Sequence, residues 1–216
     1  MNTKNYILFD LDGTLTDPKV GITKSFQYAL KHYGIEEPDL DKLEVVIGPP
    51  LRDSFMEFYG FTMEKAIEAE SKYRERFSTI GLYENEIYEG IAQMLEKLVS
   101  QDMHLAIASS KPTVFVEKIL EHFSIKQYFE HIIGSNFDGT RSNKAEVVDA
   151  AIAGFGQVAK ENILMVGDRK FDVIGAHERG IECVGVVYGY GGEEELQQAG
   201  ADYLVYTVAE LEALLL

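Results

Sequence analysis

Four short stretches carry side chains whose types and spacing could do chemistry. The first is Asp10-Leu11-Asp12-Gly13-Thr14, directly after the apolar run Ile7–Phe9. Residues two apart on an extended backbone point the same way, so both carboxylates can face one point. Two like charges roughly 6 Å apart, at an effective dielectric of about 20, repel by about 3 kcal/mol. That repulsion can shift a pKa by about 2 units. A divalent cation would hold one carboxylate as the anion while the other stays near a useful pKa. Gly13 permits backbone conformations and close approaches that other residues do not. The plain alternative is an Asp-Gly turn that closes a strand.

The second stretch is Ser109-Ser110-Lys111, after His104–Ala108. Hydroxyls and backbone amides beside a helix start can hold an anion, although Ser before Lys-Pro is also an ordinary helix N-cap. The third is Lys144, expected at the start of a helix Lys144–Ala153. A cation there opposes the helix dipole, and a solvated surface lysine is the alternative. The fourth is Gly167-Asp168-Arg169-Lys170-Phe171-Asp172, after Ile163–Val166. Hard cations prefer oxygen ligands, and Mg²⁺ is often held by one or two carboxylates plus water and phosphate. Each stretch alone is weak; four in order, each at a strand end, are much less easily accidental.

The elements that must position them follow from hydrophobic patterning. Buried strands are expected at Ile7–Phe9, His104–Ala108, His131–Gly134, Ile163–Val166, Val184–Val187 and Tyr203–Tyr206. Between them, Ile91/Met94/Leu95/Leu98, Val116/Ile119/Leu120/Phe123 and Val147/Val148/Ala151/Ile152 recur at helical spacing. Strands alternating with helices imply an α/β fold, a doubly wound, Rossmann-like parallel sheet covered on both faces. Ligands bind such sheets beyond the carboxyl ends of the strands.

From about Thr16 to Tyr83 the pattern is helical, with no convincing strand. Ile22, Phe26, Ala29, Leu30 and Tyr33 form one stripe stopped by Gly34. Short helices are expected over Leu40–Val46 and Leu51–Tyr59, then a longer one over Met63–Ser78 with Thr62 as N-cap. The expected organisation is a core of residues 1–15 and 84–216 with a helical insert of residues 16–83. The insert would hang over the Asp10/Asp12 end of the sheet, with hinges near Thr16–Pro18 and Leu82–Asn85. Tyr28, Phe55 and Tyr59 read as core of the insert.

The chain has 216 residues, 46% hydrophobic, enough for one good core and a small second domain. Its formal net charge of −16 argues against nucleic acid and anionic membrane as partners. No apolar run is long enough to span a bilayer, and the run before Asp10 is too short for a signal peptide. Cys183 is the single cysteine, so no intramolecular disulfide can form, and a cytoplasmic location is expected. The five histidines show no metal-ligand spacing. Glu193-Glu194-Glu195 reads as an acidic helix start.

Together, Asp10-x-Asp12-Gly13-Thr14, Ser109, Lys144 and Gly167-Asp168-x-x-x-Asp172 resemble the four ordered motifs of the haloacid dehalogenase-like superfamily. The insert resembles that superfamily's C1 helical cap. Ile47-Gly48-Pro49-Pro50-Leu51 and Ser110-Lys111-Pro112 are similar to its phosphoglycolate-phosphatase-like branch, although many members of that branch have Thr-Asn at Ser109-Ser110. The resemblance implies a Mg²⁺-dependent phosphatase working through an aspartyl-phosphate. Asp10 would be the nucleophile and Asp12 the general acid and base. Mg²⁺ would be held by Asp10, the Asp12 backbone carbonyl and Asp168, with Asp172 orienting that shell. Gly13, Ser109, Ser110 and Lys144 would hold the phosphoryl oxygens. One Mg²⁺ and Lys144 would make the pocket locally positive despite the global charge. An acid at Asp12 argues against the superfamily's ATPases; a dehalogenase needs neither a second acid nor Mg²⁺.

The cap would select the substrate, with Arg52 a candidate contact to an anionic group; a solvated arginine at a helix start is the alternative. The expected partner is a small phosphorylated metabolite, phosphoglycolate first, with a 5'-nucleotide or pyrophosphate next. A sugar phosphomutase and a non-catalytic binding module are further alternatives. The expected assembly is a monomer or weak homodimer.

Overall fold

The computed structural model describes residues 4–138 and 140–216. The chain divides into two compact units: residues through Asp17 together with Ile87–Leu216, and Pro18–Glu86.

The first unit is built on β1 (Tyr6–Phe9), with Ile7, Leu8 and Phe9 wholly buried. The chain leaves this unit through the short strand β2 (Thr16–Asp17) and returns through β3 (Glu86–Ile87). Next come β4 (His104–Pro112), β5 (His131–Ser135), β6 (Ile163–Gly167), β7 (Glu182–Val186) and β8 (Tyr203–Val205). Six of these strands form one sheet in the order β5-β4-β1-β6-β7-β8. All its pairings are parallel. Both neighbours of β1 lie far away in sequence, so the order reverses around it, and such a switch point opens a crevice at the carboxyl edge.

Register then does the positioning. Phe9 lies level with Ile107 on β4 and with Val166 on β6. The residues that follow, Asp10, Ser109 and Asp168, therefore emerge along one sheet edge. Leu8, Ala106, Ala108, Met165 and Cys183 pack with Val147, Val148, Ala151, Val173 and Ala176. Those partners come from helices α6 (Lys144–Gly154) and α7 (Lys170–Glu178), which cover one face. Each fully buried aliphatic side chain contributes about 1.5–3 kcal/mol, so the core holds the site's strands rigidly.

The second unit is helical: α1 (Lys19–His32), α2 (Leu51–Tyr59) and α3 (Met63–Phe77). Gly60 ends α2 in the left-handed conformation, and the Thr62 hydroxyl caps α3 by accepting from the Lys65 amide at 3.3 Å. Phe26 and Phe55 stack at 4.1 Å in its core. The short helix expected over Leu40–Val46 forms as a 3-10 helix over Asp41–Val46; β-branched Val45, Val46 and Ile47 followed by Gly-Pro-Pro keep it from lengthening. Two expectations need correction. Tyr28 is not core: it lies exposed, its hydroxyl donating to Glu75 at 3.3 Å. The stretch read as strand-free also begins with β2.

After β3 come α4 (Ile91–Ser100) and α5 (Thr113–His122); α8 (Gly192–Ala199) and α9 (Val208–Leu215) finish the core unit. Among the described residues no helix is long and apolar enough to cross a membrane.

Candidate active site

The carboxyl edge of the sheet gathers the predicted core-unit residues. The Asp10 amide donates to the Val166 carbonyl at 2.9 Å, which fastens the first acid to β6. A tight turn follows, in which the Leu15 and Thr16 amides both donate to the Leu11 carbonyl, at 2.9 and 3.0 Å. Gly13 takes φ +79° there, and a Cβ at this position would stand 2.2 Å from Asp168 Oδ2. The glycine is required both by its backbone conformation and by the closeness of that carboxylate.

Lys144 is not solvated. It opens α6 but is buried, with Nζ 2.7 Å from Asp172 Oδ1 and 3.1 Å from Asp10 Oδ1. Nζ also donates to the Ala108 carbonyl at 2.8 Å. Burial alone would push its pKa down; Asp10 and Asp172 outweigh that and push it up. The Asp172 Oδ2 atom accepts the Arg169 amide at 3.0 Å, so this carboxylate caps α7 while pairing with Lys144.

Asp168 is 1% exposed. Its Oδ2 accepts the Tyr190 amide at 2.8 Å, and its Oδ1 faces the Thr14 hydroxyl at 3.4 Å. Burial, then the charges of Asp172 and Asp10, raise its pKa well above the ordinary carboxylate range. Asp12 points elsewhere: its Oδ2 pairs with Lys111. Burial pushes the Asp12 pKa up, and Lys111 offsets part of that rise.

Lys111 reaches Asp12 because β4 does not end at Ala108. It runs on to Pro112 with a shift of register against β5 between Ala108 and Pro112, and such irregularities re-aim side chains. Ser109 is buried at this point, its hydroxyl 3.4 Å from the Lys111 amide, with Ser110 half-buried beside it. Ser109-Ser110 is thus an extension of the strand; α5 starts later, at Thr113.

Asp10, Asp168 and Asp172 each bring a carboxylate oxygen within 4.8 Å of the others. Asp12 Oδ1 is buried yet accepts no hydrogen bond from any described residue, and the only described cation on Asp10 Oδ1 is Lys144, which Asp172 shares. Four carboxylates (Asp10, Asp12, Asp168, Asp172) face two lysines (Lys111, Lys144), leaving two negative charges in excess when all are ionised. Buried unpaired carboxylates are costly, and an all-oxygen donor set with this excess fits a hard divalent cation. The residues present fit Mg²⁺.

Arg52 belongs to the helical unit. Its Nε donates to Glu70 Oε2 at 2.6 Å, and Glu70 also pairs with Arg74 at 2.7 Å. It is therefore ion-paired rather than a lone cation, with its side chain still 31% exposed. Sequence reasoning gave no role to Lys111 on Asp12 or to Tyr190 on Asp168. It also left Glu195 as a mere acidic helix start, whereas Glu195 pairs with Arg169 at 2.8 Å and accepts the Lys170 amide at 2.9 Å.

A six-stranded parallel α/β core with acids at the carboxyl edge of its central strands defines the class. The chain belongs to the haloacid dehalogenase-like hydrolase family, whose model matches residues 7–186. It is 51% identical over 191 residues to a 5'-nucleotidase of Pseudomonas aeruginosa, covering 88% of this chain and 86% of that one. It is 38% identical over 208 residues to the tyrosine-protein kinase PtkA of Mycobacterium tuberculosis, covering 95% of this chain and 70% of that one. The crystal structure of a predicted phosphatase from Clostridium acetobutylicum superposes with a TM-score of 0.95 at 46% identity, covering 98% of each chain.

Proposed function

We propose that this protein is a Mg²⁺-dependent phosphatase of small phosphoric monoesters, with 5'-nucleotides ahead of phosphoglycolate as substrates. The single observation behind the chemistry is the buried constellation of Asp10, Lys144, Asp168 and Asp172 at the carboxyl edge. The 51% identity to a 5'-nucleotidase supports the substrate order.

Asp10, Asp168 and the Asp12 carbonyl would hold the cation, which when bound supplies positive charge to the phosphoryl oxygens. Lys144, 3.1 Å from Asp10, adds a second positive charge beside it. A carboxylate oxygen of Asp10 attacks phosphorus, a P–O bond forms to Asp10, and the ester P–O bond breaks. Asp12 gives its proton to the departing oxygen, and its burial-raised pKa suits that donation. Asp12 then takes a proton from the water that attacks phosphorus, the Asp10–phosphorus bond breaks, and inorganic phosphate leaves. Ser109, Ser110 and the amides at Gly13 hold phosphoryl oxygens. Most of the acceleration comes from positioning and charge. Substrate choice belongs to the helical unit Pro18–Glu86; Arg52, tied to Glu70, acts there by shaping that unit as well as by its charge.

A second reading, transfer to a tyrosine hydroxyl in place of water, is favoured by the identity to PtkA. Phosphate release from a panel of 5'-nucleotides, phosphoglycolate and pyrophosphate, with Mg²⁺ and with EDTA, tests the assignment. Turnover highest on a nucleoside monophosphate and lost in EDTA is expected. Substrate consumed without free phosphate, with label on protein tyrosine, would favour the second reading.

A further inference from the structure

The loop Tyr188-Gly189-Tyr190, after β7, belongs to none of the four motifs, yet it lies directly on the site. The Tyr190 amide donates to Asp168 Oδ2 at 2.8 Å. Its phenol donates to Asp17 Oδ1, 173 residues away, at the last residue before the chain leaves the core unit. Tyr188 donates its phenol to the Thr14 carbonyl at 2.9 Å, and the Thr14 hydroxyl faces the other Asp168 oxygen. Both oxygens of Asp168 are thus contacted by groups that these two tyrosines hold.

The return crossing is tied to the same loop. The Tyr88 ring meets the Tyr188 ring edge-on at 5.1 Å, and the Tyr88 amide donates to the Leu15 carbonyl at 3.2 Å. The backbone is pressed close: a Cβ on Gly189 would lie 2.3 Å from Asp168 Cβ, and one on Gly191 would lie 2.2 Å from the Asp168 carbonyl. Glycines on both sides leave Tyr190 little stiffness of its own. Its amide keeps one direction because the phenol is anchored.

We propose that Tyr190 is a positioning residue that couples cation loading at Asp168 to the two segments where the chain crosses between its units. The coupling rests on the cation reading above. It is reciprocal: whatever fixes Asp17 tightens the cation site, and a cation on Asp168 stiffens Asp17 and Tyr88.

Tyr190→Phe removes the phenol bond and keeps the amide and the ring. Asp17→Ala removes the same bond from its other end, and serves if the first variant folds poorly. Mg²⁺ alone is titrated calorimetrically into wild type and variants without substrate, and hydrogen exchange is followed at Thr14–Asp17 and Tyr88. The expected result is a 3- to 10-fold weaker Mg²⁺ affinity in either variant, no further loss in the double variant, and no Mg²⁺-induced slowing at Asp17 and Tyr88. Wild-type affinity and wild-type slowing in the variants would overturn the coupling and leave the cation reading intact. A wild-type protein that binds no Mg²⁺ would overturn both.

Discussion

The Lys144 ammonium lies 3.1 Å from the Asp10 carboxylate, in a pocket where both side chains are nearly dry. Such a pair is worth little by area, because desolvation opposes its attraction. Its consequence is chemical: on the proposed mechanism it sets a positive charge beside Asp10, where a phosphate would bind.

Lys144→Met leaves Asp10, Asp168 and Asp172 facing one another without a counter-charge. Breaking a buried pair from one side costs about 3–5 kcal/mol, so thermal unfolding in EDTA falls steeply. Mg²⁺ restores part of that stability. Turnover falls about 10²-fold or more even in saturating Mg²⁺, as expected for a lost electrostatic contact.

Lys111→Met acts on protonation. Lys111 lowers the Asp12 pKa against the rise that burial imposes. Without it the Asp12 pKa rises further, so Asp12 stays a competent acid to higher pH. The alkaline limb of kcat/KM moves upward while the maximum falls. An alkaline limb that stays in place would show that Asp12 does not donate the proton.

Cation binding and stability depend on pH with opposite signs. Burial and the Asp10 charge raise the Asp172 pKa to about 6, despite Lys144, and burial chiefly raises Asp168. Folded values above the unfolded value of 3.8 stabilise the cation-free protein fully below pH 3.8. That contribution fades as pH rises through about 6. In EDTA the melting temperature at pH 5 should therefore exceed that at pH 7.5. Mg²⁺ competes with the same protons, so its affinity should rise across this interval, with proton release seen as buffer-dependent binding heat.

Gly13→Ala meets two obstacles at once. Its backbone is left-handed, costing about 1–2 kcal/mol for a residue with a Cβ, and that Cβ would stand 2.2 Å from Asp168 Oδ2. The variant should melt lower and bind Mg²⁺ more weakly than wild type. An unchanged Mg²⁺ titration would show that Asp168 can move without loss.

All six strands of the main sheet were legible because buried parallel strands read as short apolar runs, and all six form. The acids were legible because they follow those runs immediately. Lys144 was legible as a motif residue but not as a buried one: its partners come from the end of β1 (Asp10) and the first turn of α7 (Asp172). Lys111 was unreadable for a similar reason, since its partner Asp12 lies 99 residues away and the contact depends on a register shift. Tyr190 had no local signal at all; its amide is the working group on Asp168, and any residue type except proline carries one. In the helical unit, the Gly34 stop and the Thr62 cap were readable. The exposure of Tyr28 and the Arg52–Glu70 pair depend on packing that periodicity does not encode.

The central claim is that Asp10 carries the phosphoryl group. It is tested most directly by phosphate release from the best nucleoside monophosphate, in Mg²⁺, by wild type and by Asp10→Asn of matched circular dichroism. Turnover by wild type and none above background by the variant is the expected result. Sustained turnover by Asp10→Asn would contradict it.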